Sequence, residues 1–326
     1  MESLGRYRLL RRLGSGGFST VWLGFDDDLD IHVAIKVLAD NWIAHSDVSR
    51  RFLDEARLLR RVADARVVRV HDIGWESGRP YFVMDYISGG TVAELNFPLP
   101  AHEALALTSE IARAIQVLHD HEVIHRDVKP SNILLAGGSS GRVVIADLGM
   151  AKRLAESSGV TISVGTPSFM APEQAHGQTG LNVRVDVYAV AAVGYLLLTG
   201  DRAYPDARTV VDVAVRPATA VPAPLVGRLR DADATLDEVA LDELLRAALR
   251  YEPTDRPASA AALADRLDAL ARTSESSQLD RPTDLRPPEA APPPFRPHRL
   301  RTAVLATLVL VVVAVLTWAG LSFTLA

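Results

Sequence analysis

Strand-forming and helix-forming patterns are segregated along this chain of 326 residues. Its first part holds short segments rich in β-branched and aromatic residues, separated by turn signals, which is typical of strands. The predicted strands are Tyr7–Leu13, Thr20–Phe25, Val33–Leu38, Val67–Trp75 and Tyr81–Tyr86. One helix interrupts them at about Asp47–Ala63, with Ser46 as its predicted N-cap.

After Gly90 the apolar residues recur at helical spacing instead. The segment Val187–Leu198 is almost wholly apolar but too short to span a bilayer, so it is predicted to be a buried helix. Further helices are predicted at Asp237–Arg250 and Ser259–Arg272, and two short strands at Ile133–Leu135 and Val143–Ala146. These patterns predict an α+β, bilobal fold, with a β-rich lobe that contains one helix followed by a mainly helical lobe.

The composition excludes several classes of function. The net charge is −5 and no run of Lys and Arg is present, so nucleic-acid binding is not expected. The chain has no cysteine, which excludes disulfides, thiolate metal sites and Cys nucleophiles. Histidines at positions 119, 121 and 125 are clustered, but their placement favours a structural role over a zinc site.

The C-terminal part predicts a tether followed by a membrane helix. Residues 273–299 are polar and then rich in proline, as in an extended linker. Residues 300–324 contain an uncharged apolar stretch, Ala303–Leu321, of the length that a transmembrane helix needs. Arginines precede this stretch and no charge follows it, so the positive-inside rule keeps the preceding domain cytoplasmic. A lipid-anchor signal is the rival interpretation, but Met1–Leu13 does not resemble the signal peptide it requires.

A glycine-rich segment lies between the first two predicted strands. It reads Gly14-Ser15-Gly16-Gly17-Phe18-Ser19-Thr20-Val21. Glycines let a backbone approach phosphate groups closely, although a hairpin turn is the commoner use of such a sequence. A dinucleotide-binding fold would place a helix after the glycines, whereas a strand follows here.

Lys36 lies on a predicted strand whose alternation gives it apolar neighbours on its own face, Ala34 and Leu38. A buried ammonium needs an anionic partner. Glu55, on the apolar stripe of the following helix, offers one. The alternative is a lysine that reaches the solvent beside an unrelated glutamate.

The segment from His125 to Asn132, which reads HRDVKPSN, is the most specific signal in the chain. Phosphoryl transfer to an alcohol needs a carboxylate that orients the hydroxyl and accepts its proton, and oxygen ligands for Mg²⁺. Asp127 suits the first role, and Asn132 with Asp147 suits the second. Ala171-Pro172-Glu173 follows further along the chain.

With these motifs in this order, residues 7–271 resemble Hanks-type (eukaryotic-like) protein kinases, particularly the membrane-anchored Ser/Thr kinases of bacteria. The resemblance implies a catalytic domain over residues 1–272, with lobes at about 1–87 and 88–272. It implies ATP and Mg²⁺ (or Mn²⁺) as cofactors. The implied partners are proteins with Ser/Thr acceptors, the membrane, and a second copy of the chain for autophosphorylation in trans.

The resemblance also implies roles for individual residues. Lys36 holds the α- and β-phosphates and pairs with Glu55, Asp127 is the catalytic base, and Lys129 steadies the γ-phosphate. The implied metal ligands are Asn132 and Asp147. The implied nucleotide-binding residues are Leu13, Gly14, Ser15, Gly16, Gly17, Phe18, Val21, Ala34, Lys36, Met84, Asp85 and Ile87. Glu173 is expected to pair with Arg256, and Asp186 to brace the catalytic loop.

The segment after Asp147 predicts regulation. Thr161, Ser163 and Thr166 are the expected phosphosites, with Arg126 as the partner of a new phosphate. Leu148 stands where the family usually has Phe, a departure that keeps an apolar contact. A membrane-tethered pseudokinase scaffold is the alternative function, and a small-molecule kinase of the aminoglycoside type is a third. The segment Gly165–Glu173 resembles a platform for a peptide substrate and argues against the third.

Overall fold

The computed structural model describes residues 3–137, 141–148, 167–232 and 235–279. The chain divides into two units, Met1–Asp280 and Arg281–Ala326, and all described residues belong to the first. Within the described ranges, no helix has both the length and the apolar character needed to cross a membrane. The predicted membrane helix at 300–324 lies outside them, as does the proline-rich part of the tether.

The N-terminal lobe is a six-stranded antiparallel sheet with one helix. Its strands are β1 (Ser3–Leu4), β2 (Tyr7–Ser15), β3 (Ser19–Asp26), β4 (Ile31–Leu38), β5 (Val70–Glu76) and β6 (Arg79–Asp85), in the order β1-β2-β3-β4-β6-β5. A short 3-10 helix (Asp40–Trp42) and α1 (Ser46–Arg61) connect β4 to β5. The sheet and α1 pack through their apolar faces, with the rings of Phe52 and Phe82 5.0 Å apart.

The other face of this sheet is covered by the N-terminal hairpin, which the sequence patterns did not predict. Leu4 and Tyr7 are buried there against Tyr81. The Tyr7 hydroxyl donates to Asp72, 2.9 Å away, and burial, then this hydrogen bond, raises the pKa of Tyr7. The turn needs Gly5, whose φ is +54° and where a Cβ would lie 2.6 Å from the Tyr81 hydroxyl.

The C-terminal lobe is mainly helical, as predicted. Its elements are α2 (Ala101–Asp120), β7 (Ile133–Ala136), β8 (Arg142–Ile145), α3 (Pro172–Ala175), α4 (Arg184–Thr199), α5 (Val210–Ala214), α6 (Glu238–Ala248) and α7 (Ala260–Leu279). Helix α4 is buried along nearly its whole length and ends at Gly200 in the left-handed conformation. It therefore forms the centre of the lobe, as expected of an almost wholly apolar segment.

The start of β5, the N-cap of α1 and the end of α7 are among the boundaries that differ from the sequence predictions. Strand β5 begins at Val70, because Val67 instead pairs with Ile145 and the Val68 N–H donates to the Ile145 carbonyl. Ser46 is the first residue of α1, and the N-cap is His45. Helix α7 continues past Arg272 to Leu279, so the start of the predicted tether is helical. No Gly or Pro interrupts that stretch.

Candidate active site

A cleft of about 660 Å³ lies between the two lobes. Its roof consists of Val21 and Ala34 from the N-terminal sheet, and its floor includes Leu134 and Ala146. The segment that joins the lobes, starting at Asp85, forms its back edge. An apolar cleft of this size with a few convergent charges is the usual form of a site for a small organic ligand.

The first charged cluster in the cleft centres on Lys36. Its ammonium lies 2.7 Å from a Glu55 carboxylate oxygen and 2.8 Å from one of Asp147. The Lys36 side chain is 6% exposed, whereas that of Asp147 is 38% exposed on the cleft side. Burial alone would lower the pKa of Lys36, but the charges of Asp147 and Glu55 outweigh it and raise that pKa. Lys36 is therefore a fixed cation that joins β4, α1 and the segment after β8.

The second cluster lies on the loop between α2 and β7. The Lys129 ammonium is 2.7 Å from Asp127 Oδ2. The Asn132 side-chain nitrogen donates to the Asp127 backbone carbonyl at 2.9 Å and to its carboxylate at 3.2 Å. The loop is anchored below by Ile133 and Leu135, which are buried on β7. This arrangement presents a carboxylate and an ammonium side by side.

The donor set fits a magnesium ion. The amide nitrogen of Asn132 points at Asp127, and its side-chain oxygen accepts one hydrogen bond, from the Ser131 hydroxyl at 3.4 Å, which leaves a second lone pair for a metal. The Asp147 carboxylate is partly exposed to the cleft. Carboxylate and amide oxygens are ligands that Mg²⁺ prefers, and Mg²⁺ commonly takes few protein ligands together with phosphate oxygens. Within the described part of the chain, no group of three or more His, Cys, Asp or Glu could hold a metal. His119 instead bonds to Asp186, 2.8 Å away.

The backbone before Asp127 is held in an unusual conformation. Arg126 has φ of +63°, which a residue with a Cβ rarely adopts. The buried Asp186 accepts hydrogen bonds from the N–H groups of His125 and Arg126, at 2.8 and 2.7 Å. The Gln174 side chain donates to the Arg126 carbonyl at 2.8 Å, and the Asp127 N–H donates to His125 Nδ1 at 3.2 Å. Burial lowers the pKa of His125, so its neutral ring is able to accept.

A separate ion pair lies behind the site, between Glu173 on α3 and Arg256. It is bidentate, with nitrogen–oxygen distances of 2.6 and 2.8 Å, and both side chains are buried. The guanidinium also donates to the backbone carbonyls of Arg184, Arg250 and Tyr251. All five of its N–H groups are thereby used.

The structure brings most of the predicted nucleotide-binding residues to the cleft. Those that line it are Leu13, Gly14, Val21, Ala34, Lys36, Met84, Asp85 and Ile87. Ser15, Gly16, Gly17 and Phe18 do not line it. Phe18 packs against Trp42 instead. Leu148 is buried, which agrees with the apolar contact expected of it.

Sequence reasoning missed several residues that line the cleft, namely Arg11, Thr91, Glu94 and Ser131. Thr91 and Glu94 had a detectable signal, since Ser/Thr followed three residues later by Glu is the pattern of a capping box. The box is present, with the Thr91 backbone N–H donating to the Glu94 carboxylate. The Thr91 hydroxyl donates to the same carboxylate. The predicted phosphosites Thr161, Ser163 and Thr166 lie outside the described residues.

Comparison with known proteins identifies the family. A model described as "Protein kinase domain" matches residues 7–267. The chain belongs to the protein kinase family. Its first lobe and its helical lobe with the cleft between them are the protein kinase fold, as the resemblance implied.

Serine/threonine-protein kinases of bacteria are among the similar proteins. Pkn1 of Myxococcus xanthus is 33% identical over 270 residues, which cover 81% of this chain and 38% of Pkn1. PknL of Mycobacterium tuberculosis (strain ATCC 25618 / H37Rv) is 34% identical over 273 residues, covering 82% of this chain and 66% of PknL. The crystal structure of the M. tuberculosis PknI kinase domain matches with a TM-score of 0.64 and 27% identity, over 83% of this chain and 99% of that one. The chain thus spans little more than a third of the length of Pkn1.

Proposed function

We propose that this protein is an ATP-dependent Ser/Thr protein kinase. The observation that carries the proposal is the convergence on one cleft of Lys36, Glu55, Asp147 and Asn132, with Lys36 paired to both carboxylates. The side chain of Asn132 also donates to Asp127, which places that carboxylate next to the cleft. Relatives named serine/threonine-protein kinases support the same activity.

The cleft divides the work of phosphoryl transfer among these side chains. The apolar residues around Met84 hold the adenine, and the Lys36 ammonium lies where the α- and β-phosphates enter. Asp127 orients the acceptor hydroxyl and takes its proton, and Lys129 beside it offsets the negative charge of the γ-phosphate. Asn132 and Asp147 would hold Mg²⁺ (or Mn²⁺), which supplies charge neutralisation when bound.

The pseudokinase alternative is not favoured, because the lysine, the base and both metal ligands are present and adjacent. The aminoglycoside type of small-molecule kinase is disfavoured as well. Glu173 is paired with Arg256 behind the site, and the next residue, Gln174, donates to the catalytic loop. The described part of that segment, residues 167–173, therefore ends at a fixed point beside the catalytic loop, as a peptide platform requires.

We further propose that the protein is a single-pass membrane protein with its catalytic domain in the cytoplasm. The support is the uncharged apolar stretch within residues 300–324 and the arginines before it. Autophosphorylation in trans by a second copy, at Thr161, Ser163 or Thr166, is proposed from the serines and threonines after Asp147 and from Arg126, whose Nε is buried without a partner in the described structure.

The test is phosphoryl transfer by the full chain, purified in mild detergent, with labelled ATP, Mg²⁺ and a generic protein acceptor. Label on Ser or Thr is expected for the wild type, and Asp127→Asn should lower the rate about 10²- to 10⁴-fold. Mass spectrometry then locates the sites within the chain. ATP binding without phosphoryl transfer to any Ser or Thr would overturn the proposed kinase activity and favour the pseudokinase scaffold.

A further inference from the structure

The tip of the glycine-rich loop is fastened to the 3-10 helix that precedes α1. The Trp42 indole N–H donates to the Gly17 carbonyl at 2.8 Å. The rings of Phe18 and Trp42 stack with centroids 4.8 Å apart and planes 16° apart. The Ala39 N–H donates to the Phe18 carbonyl at 2.9 Å. Two consecutive residues of the loop are therefore bound by the segment from Ala39 to Trp42, which we call the loop anchor.

The burial of these rings is unusual for a loop tip, which normally faces solvent. Phe18 is 8% exposed and Trp42 is 4% exposed. Stacking at this separation adds attraction beyond the apolar area that the two rings bury. The indole N–H has the acceptor that a buried tryptophan needs. The contact is thus specific in both its apolar and its polar part.

Gly17 and Phe18 do not line the cleft themselves, but they lie directly before β3, whose residue Val21 forms part of its roof. Strand β3 continues directly from the loop and pairs with β4, so that Val21 is opposite Lys36. A glycine-rich loop loses much conformational freedom when it closes on a ligand. If the loop is already held in place before the ligand binds, less conformational freedom is lost on binding. The ligand groups that the loop covers are then bound more tightly.

We propose that Trp42 is a positioning residue that holds the glycine-rich loop over the phosphates of ATP. The inference rests on the proposed function, since it assumes that a nucleotide triphosphate fills the cleft. It makes a separate claim, however: Trp42 contributes to the recognition of the phosphates and not to that of adenosine. The Trp42 ring also lies 5.3 Å from that of His45, the N-cap of α1. The anchor therefore joins the loop to the helix that carries Glu55.

The experiment measures the affinity of the full chain for two ligands by calorimetry, ATP with Mg²⁺ and adenosine. Three variants are compared with the wild type. Trp42→Ala removes both the stacking and the hydrogen bond, and Trp42→Phe keeps a stacking ring but removes the N–H donor. Trp75→Ala is the matched control, because Trp75 lies in the same lobe and is 56% exposed.

We expect Trp42→Ala to raise the dissociation constant for ATP about tenfold, Trp42→Phe about threefold, and Trp75→Ala not at all. The constant for adenosine should change less than twofold in every variant. ATP affinity within twofold of the wild type in Trp42→Ala would overturn the proposal. Equal losses for ATP and adenosine would overturn it too, because they would show that Trp42 only supports the lobe. Phosphoryl transfer by the wild type is scored separately, so failure of the kinase assignment is distinguishable from failure of this one.

Discussion

Two buried ion pairs, Lys36–Glu55 and Arg256–Glu173, join distant parts of the chain and have opposite designs. All five N–H groups of the Arg256 guanidinium donate to protein groups, and no part of that side chain is exposed. The ammonium of Lys36 bonds to Glu55 and also to Asp147, which is 38% exposed on the cleft side. The Arg256–Glu173 pair is therefore enclosed within the protein, whereas the Lys36–Glu55 pair borders the cleft.

The difference follows from what each cation has to do. A delocalised, planar guanidinium has five donors in a fixed fork and suits a permanent junction of several backbone segments. A compact ammonium on a flexible stem is able to exchange one partner for a phosphate oxygen. We therefore expect Arg256 to determine stability and Lys36 to determine activity.

The largest effect is expected from Arg256→Ala. It leaves the Glu173 carboxylate buried without its partner, and the free energy of unfolding should fall by about 3–5 kcal/mol. Urea denaturation of the full chain measures it. The matched control is Arg250→Ala, at an exposed position six residues earlier in the chain, which should change stability by less than about 0.5 kcal/mol. If the Arg256→Ala protein were as stable as this control, the Arg256–Glu173 pair would not determine stability, and the proposed difference between the two ion pairs would be wrong.

Lys36→Met should lower the rate of phosphoryl transfer by about 10²- to 10³-fold, because a preorganised cation that faces the phosphates is lost. Its loss of stability should be smaller than that of Arg256→Ala, since Asp147 is already partly exposed and the buried Glu55 lies at the wall of the cleft. Initial rates and urea denaturation are measured on the same preparations. Arg8→Met serves as control, because the Arg8–Asp27 pair is exposed on both sides. A Lys36→Met protein with the wild-type rate of phosphoryl transfer would contradict a role of the Lys36–Glu55 pair in catalysis.

Gln174→Leu tests whether the two regions are coupled. Gln174 follows Glu173 on α3, and its side chain donates to the Arg126 carbonyl next to the catalytic carboxylate. Loss of one such hydrogen bond, about 1 kcal/mol, should lower kcat about fivefold and leave the KM for ATP unchanged. Gln178→Leu, at an exposed position of the same segment, should match the wild type. Equal kcat values for the two variants would show that the enclosed pair supports the fold alone.

The smallest effect concerns pH and His125. Burial lowers the pKa of His125 below its ordinary value of 6.5, so the unfolded chain binds this proton more readily than the folded one. The stability that the neutral ring supports is therefore complete above about pH 6.5 and is lost as the pH falls toward the folded value. The stability difference between the wild type and His125→Gln should narrow between pH 7 and pH 5. A stability difference that is constant between pH 7 and pH 5 would refute the lowered pKa of His125.

Much of the fold and site could be predicted because the signals are local. Alternation on β4 placed Lys36 among apolar neighbours, and helical spacing placed Glu55 on the buried stripe of α1, so their pairing followed from charge burial alone. The HRDVKPSN segment carries its own spacing in a single loop. The buried helix α4 was predicted from an apolar run that no exposed helix would have.

What remained depends on contacts between segments that are far apart in the sequence. Strand β1 covers the outer face of the N-terminal sheet, and β5 begins at Val70. Both features depend on contacts with residues that are far away in the sequence. The same holds for the burial of Phe18 against Trp42, since periodicity gives no information about which aromatic rings meet. The amino-acid sequence by itself determined the order of the main elements, the chemistry of the cleft and its charged residues. Tertiary structure alone decided which donors and acceptors are satisfied within the protein and which carboxylate remains open to a ligand, because hydrogen-bond satisfaction depends on three-dimensional packing.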